Sequence, residues 1–124
     1  MDNSSTIEQL KIKVKEFRDE RNWKKFHDPK NLSIALAVES AELQELFLWK
    51  SKSQVRQLLS SGKGKRQMRD ELADILIYLL YLSDESGIDL SEAVKEKLGI
   101  NKDKYPVSKS YNSSKKYNEF DSEE

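Results

Sequence analysis

Cysteine is absent from this 124-residue chain, which removes disulfide staples, thiolate zinc sites and cysteine nucleophiles at once. Histidine occurs once, as His27. A charge of either sign in excess is also missing: Lys and Arg number 22, and Asp and Glu number 22. Such a balance argues against a protein that wraps nucleic acid or is drawn to a membrane surface. The longest nearly unbroken apolar run, "ILIYLLYL" at 75–82, is too short to span a bilayer. "MDNSSTIEQL" shows no basic segment followed by an apolar core, so no secretory signal is expected and a cytoplasmic setting is. Strand-like alternation and internal repeats are missing too.

What is present is helical periodicity. Ile7, Leu10, Val14 and Phe17 form a narrow stripe on a first helix, with Ser5/Glu8 or Thr6/Gln9 as a capping box. Pro29 marks a boundary, and Asn31 or Ser33 is expected to cap a second helix running to about Trp49. Residues 50–66 read as a connector with a helical turn or two around Val55–Leu59. A third helix over 67–85 is apolar on nearly every side, which predicts burial between bundle mates and a partner subunit. Gly87 ends it. Asp89 with Glu92 opens a last helix to Gly99, and the Ser-, Lys- and Asn-rich chain from 101 on is expected to be extended. The expectation is one all-α domain, a four-helix-type bundle over about 6–100 with a polar tail over 101–124.

Two helices carry acids where leucines belong. Glu39 falls within about 20° of Leu32 on a helical wheel, inside the arc of Leu36, Leu43 and Leu46. Glu42 lies at the edge of that arc. In the third helix Glu71 and Asp74 flank the arc of Met68, Ile75 and Leu82, beside Tyr78. Each pair has i, i+3 spacing, so its carboxylates share one side of the helix. Antiparallel packing of the two helices would bring four carboxylates together, and desolvation with mutual repulsion would then oppose their ionisation. A divalent cation relieves both. Carboxylate-only ligation suits Mg²⁺, Mn²⁺ or Ca²⁺. A di-iron bundle would need Glu-x-x-His, which His27 does not supply. Mg²⁺ held this way commonly serves phosphate chemistry. The competing reading makes the acids solvated flank residues or interhelical ion-pair partners.

Other groups are less specific. Trp23, Trp49, Tyr78 and Tyr105 offer stacking surface for a base, or simply core and interface anchors. His27, just before the Asp28-Pro29 turn, reads as a loop or capping histidine. "GKGK" at 62–65 lacks the spacing of a phosphate loop and reads as a mobile loop. Lys102, Lys104, Lys109, Lys115 and Lys116 make the tail locally basic, suited to a polyphosphate or to solvent.

"FRDERNWKKFHDPKNL", "ESAELQELFLWK", "DELADILIYLLYL", "GIDLSEAV" and "INKDKYP", in this order, resemble the MazG-like all-α nucleoside triphosphate pyrophosphohydrolases, nearest their dCTP-directed branch. The resemblance implies hydrolysis of a (deoxy)nucleoside triphosphate, dCTP or a modified dCTP, to the monophosphate and pyrophosphate. It implies Mg²⁺, with Mn²⁺ as a substitute, on Glu39, Glu42, Glu71 and Asp74 as metal-binding and catalytic residues. It implies a homo-oligomer, dimer or tetramer, whose sites borrow residues from a neighbour. Trp23 and Trp49 match positions lining the base pocket; Tyr78, Asn101, Lys104 and Tyr105 match positions in or near the nucleotide site. Val38 stands where many members have a further glutamate, a departure shared by the dCTP branch. Val14 stands where some animal members have a base-reading histidine. The alternatives are a non-catalytic helical oligomerisation protein and a nucleotide-binding regulator.

Overall fold

Capping residues set most helix boundaries. The computed structural model describes residues 1–123, and among them there are helices and turns but no strand. Thr6 caps α1 (Ile7–Glu20): its Oγ1 accepts from the Gln9 N–H at 3.1 Å while its own N–H donates to Gln9 Oε1 at 2.9 Å. A single 3₁₀ turn, Lys24–Phe26, leads to α2 (Pro29–Glu45). The N-cap of α2 is Asp28, not Asn31 or Ser33; its Oδ1 accepts from the Asn31 N–H at 2.8 Å. Pro29 fills the first helical position, where an N–H is not needed and the fixed φ suits the helix. Nor does α2 reach Trp49. Its last turn tightens to i→i−3 bonds at Phe47 and Leu48, and Trp49 leaves with φ at 63°.

The expected connector is largely helix. Ser51 and Gln54 form a capping box that starts α3 (Lys52–Ser60). Ser61 then accepts from the Gly64 N–H at 3.0 Å and opens α4 (Gly62–Ser86), five residues before Gln67. "GKGK" is therefore the first turn of a helix rather than a mobile loop. The cap on Ser61 outweighs the entropy cost of two glycines. Gly64 is buried where α3 turns into α4, and a Cβ there would overlap the Leu58 carbonyl group and side chain. Because backbone is among the obstructing atoms, Gly64→Ala should cost about 2 kcal/mol or more. Denaturant melts of the two proteins check this, and equal midpoints would refute the close approach.

Gly87 terminates α4 in the left-handed region at φ 66°, with the Ile88 N–H donating to the Ser83 carbonyl at 3.0 Å. The chain divides into two compact units, the first being Met1–Ile88 and the second beginning at Asp89. In the first, α4 packs against α2, α1 and α3. Its fully buried apolar side chains are few: Leu32, Leu80 and Tyr81. Arg18 is also buried, at 1% exposure, and its guanidinium meets Asp19 at 2.8 Å and Asp84 at 3.1 Å. The Tyr81 hydroxyl donates to the Val14 carbonyl at 2.7 Å, a second tie between α1 and α4.

In the second unit α5 (Leu90–Lys104) is capped by Asp89, whose Oδ1 accepts from the Glu92 N–H at 2.9 Å. It passes through Gly99 to Lys104, beyond the expected end. α6 (Val107–Ser110) and a 3₁₀ turn over Tyr117–Glu123 follow. The expected extended tail thus gives way to helical turns. Its aromatics supply the contacts that aliphatics do not: Tyr105 lies edge-on to Tyr117 and Phe120 at 6.0 and 5.8 Å between ring centres. Position 124, the end of the expected tail, lies outside the described residues.

Candidate metal centre and adjoining cavity

Helical spacing places Glu39 and Glu42 of α2 on the side that meets Glu71 of α4. One carboxylate oxygen from each of the three lies within 4.8 Å of the others. Glu39 and Glu71 are half-buried and Glu42 is exposed. Glu39 Oε2 and Glu71 Oε2 are buried and accept no hydrogen bond. Burial pushes the Glu39 carboxyl up to about 7, and the neighbouring Glu71 and Glu42 carboxyls add to it, as does the charge of Asp74. Orphaned, crowded oxygens of this kind fit a hard divalent cation. Asp74, the fourth expected acid, is half-buried and stands outside the group of three. It lines a cavity instead.

That cavity, of about 340 Å³, lies between α1 and α4. From α4 come Asp74, Ile77, Tyr78 and Tyr81, which are i, i+3, i+4 and i+7 on one face. From α1 come Lys13, Val14 and Phe17, and from the turn after it Trp23 and His27. Trp23 rests edge-on against Phe17 at 5.8 Å. Burial raises the Tyr78 hydroxyl above its ordinary value, and the charges of Glu39, Asp74 and Glu42 raise it further, so it remains a donor at neutral pH.

Of the residues expected in the nucleotide site, Trp23 and Tyr78 join Asp74 in this wall. Trp49 does not; it is 93% exposed beyond the end of α2. Asn101, Lys104 and Tyr105 belong to the second unit, where Lys104 Nζ lies 4.8 Å from the Tyr117 ring centre. His27, read as a loop or capping residue, lies in the loop between the 3₁₀ turn, which it ends, and α2. Asp28 is the N-cap of α2, and the His27 ring packs against Tyr81 at 4.6 Å between ring centres, tilted by 54°. Tyr81 was legible in principle, since it stands seven residues after Asp74 on the same helical face.

A model of the MazG-like family matches residues 34–120, which include all four acids. The chain belongs to the MazG-like family. dCTP pyrophosphatase 1 of Homo sapiens is 40% identical over 114 residues, 92% of this chain and 67% of the relative. The protein of the same name from Mus musculus is 40% identical over 112 residues, 90% of this chain and 66% of the relative. The chain spans about two thirds of the length of these relatives. A pyrophosphatase from Archaeoglobus fulgidus, known from its crystal structure, aligns with a TM-score of 0.74 and 45% identity, over 80% of this chain and 91% of that one. The match fixes this MazG-like chain as all-α. No helix among its described residues is long and apolar enough to cross a membrane.

The raised Glu39 carboxyl has a sign that can be measured. Its value is 4.5 when unperturbed and about 7 in the fold, so the folded chain binds the extra proton between those pH values. Its contribution to stability is complete below about 4.5 and is lost as pH rises through 7. A divalent cation should restore it, because protons and cation compete for the same oxygens. In thermal melts, millimolar Mg²⁺ should raise Tm over an EDTA control by several degrees at pH 8 and far less at pH 5. Equal Tm values at pH 8 would exclude the site.

Proposed function

We propose that this protein is a Mg²⁺-dependent nucleoside triphosphate pyrophosphohydrolase, acting on dCTP or a modified dCTP in nucleotide-pool housekeeping in the cytoplasm. The reading is carried by one juxtaposition: the cluster of Glu39, Glu42 and Glu71 lies electrostatically coupled to Asp74 and Tyr78, which line the aromatic cavity. The names of the relatives support it.

In this reading Glu39, Glu42 and Glu71, with Asp74, hold Mg²⁺ or Mn²⁺. The bound ion would offset the charge of the triphosphate and of the oxygens on which charge develops. Water attacks the α-phosphorus, the bond to the β-phosphate oxygen breaks, and pyrophosphate leaves. Glu39 or Glu42 orients that water and takes its proton; Glu42, being exposed, is open to substrate. Trp23 stacks on the base. Tyr78 keeps its proton and donates to the nucleotide. Trp49, Asn101, Lys104 and Tyr105 are proposed as further nucleotide contacts, Trp49 lying exposed, open to a neighbouring copy.

Homo-oligomerisation as a dimer or dimer of dimers is part of the proposal, as is the union of both units in one family domain. Ile34 and Val38 on α2, and Leu72, Leu76 and Leu79 on α4, are exposed along their helices at i, i+4 and i+7 spacing. A single chain burying so few apolar side chains gains by covering such faces with another copy.

Pyrophosphate release from purified protein, measured across canonical and modified (d)NTPs with and without Mg²⁺, tests the reading. Mg²⁺-dependent release that is greatest with dCTP or its derivatives supports it. Mg²⁺-dependent binding without product would make the chain a regulator, and neither binding nor product would leave a helical oligomerisation protein.

A further inference from the structure

Tyr81 spans the gap between the two helices that wall the cavity. Its backbone belongs to α4, and its hydroxyl donates to the Val14 carbonyl of α1 at 2.7 Å. Among the described residues that line the cavity, Tyr81 is the only buried one, at 4% exposure. Two further contacts hold its ring. The His27 ring packs against it at 4.6 Å between ring centres, and the Arg18 guanidinium lies 5.9 Å from its centre. Turning the ring away would strip a buried hydroxyl of its acceptor. Tyr81 also marks an end. From Asp74, beside the carboxylates, the α4 lining runs seven residues to Tyr81, about 10 Å of helix rise, and goes no further. The next layer is an ion pair rather than space: Arg18, one turn after Val14, meets Asp84, three residues after Tyr81, at 3.1 Å.

We infer that Tyr81 is a specificity-determining residue that limits how far a base can enter, so that the site takes cytosine without a bulky group on its C4–C5 edge. The inference rests on the proposed reaction, in which the triphosphate lies at the carboxylates and the base in this cavity. The base hangs from the sugar by N1, so C4 and C5 lie on its far edge, the one directed toward Tyr81. A substituent there meets a ring tied to both helices rather than a flexible side chain. A clash of that kind discriminates against the larger ligand without weakening the smaller one. Lys13, Phe17 and Trp23, the exposed members of the wall, can give way into solvent and set no such limit.

The test compares dCTP with 5-propynyl-dCTP, which carries a rigid rod at C5. In the wild type, kcat/KM for the propynyl substrate should be at least about tenfold below that for dCTP. Tyr81→Leu removes the reach to α1 and should raise the propynyl/dCTP ratio by about tenfold. Tyr81→Phe keeps the ring and should keep the wild-type ratio. A side chain that only stabilised the fold would, when changed, lower both values together and leave the ratio alone. Three results overturn the inference: a wild type that uses both substrates equally, an unchanged ratio in Tyr81→Leu, or a ratio in Tyr81→Phe that moves as far as in Tyr81→Leu. Should Tyr81→Leu not fold by circular dichroism, Tyr81→Met, whose unbranched chain adapts to irregular gaps, takes its place. If the wild type consumes no triphosphate, the proposed function fails, and titration with the two nucleosides still decides the role of Tyr81. Followed by NMR shifts in labelled protein, deoxycytidine should bind the wild type at least about tenfold more tightly than 5-propynyldeoxycytidine, and the gap should narrow in Tyr81→Leu. Binding of neither, or the same gap in both proteins, overturns the inference.

Discussion

Glu71→Gln should reduce pyrophosphate release by at least about a thousandfold while leaving the helices intact. Glu71 is the α4 member of the three-carboxylate group, and its buried Oε2 has no partner in the protein to lose. The amide keeps size and helix propensity, so far-UV circular dichroism should not change. It cannot replace the negative charge a cation needs from this corner. The same change should make the ion-free protein more stable above pH 7, because it removes a neighbour that pushes the Glu39 carboxyl up. Lost activity with raised apo Tm is a combination that an ion-pair role would not give. If Glu71 paired with a lysine, stability would fall instead. Turnover within tenfold of wild type would sink the metal assignment.

The largest loss of stability is expected far from the carboxylates. Asp84→Ala should destabilise the fold by about 2–3 kcal/mol and lower Tm by roughly 6–15 °C. Arg18 is almost wholly buried, and Asp84 meets it at 3.1 Å while also holding Lys15 at 3.1 Å. Removal of Asp84 leaves a buried guanidinium with Asp19, itself exposed, and a distant Glu85. The remaining partners keep the cost below that of a fully stranded charge. Burial works against the ionised Asp84, but bonds to Arg18 and Lys15 hold its carboxyl below the usual range. Its contribution is therefore present above about pH 4 and is lost as pH falls through the depressed folded value. Melts at pH 7 and at a pH below the depressed value of Asp84 should show a large difference between variant and wild type at the first and a small one at the second. An equal difference at both would mean the carboxylate charge is not what stabilises.

Legibility in the sequence followed the range of the interaction. The capping box at Thr6, the glycine stop at Gly87 and the acids on apolar arcs depend on neighbours within about four residues, and all three were readable. Failures occurred where one local signal competed with another. Pro29 drew the cap to Asp28 although Asn31 and Ser33 are themselves good caps. Two glycines mask the start of α4, where the Ser61 cap and the close approach of Leu58 to Gly64 prevail over their flexibility. The tail lacked aliphatics, and its helical turns rest on aromatic contacts among Tyr105, Tyr117 and Phe120.

By itself the sequence determined the all-α class, the family, and the two acid pairs, each sharing one side of its own helix, since periodicity of 3.6 residues fixes which side chains share a face. Only the tertiary structure decided which acids cluster. It drew Glu39, Glu42 and Glu71 together and gave Asp74 to the cavity wall, because helix crossing, not spacing, sets distances between carboxylates on different helices. It also placed His27 on Tyr81. No periodicity links a turn residue to a helix more than fifty positions away, and burial of the intervening helices alone brings the two rings into contact.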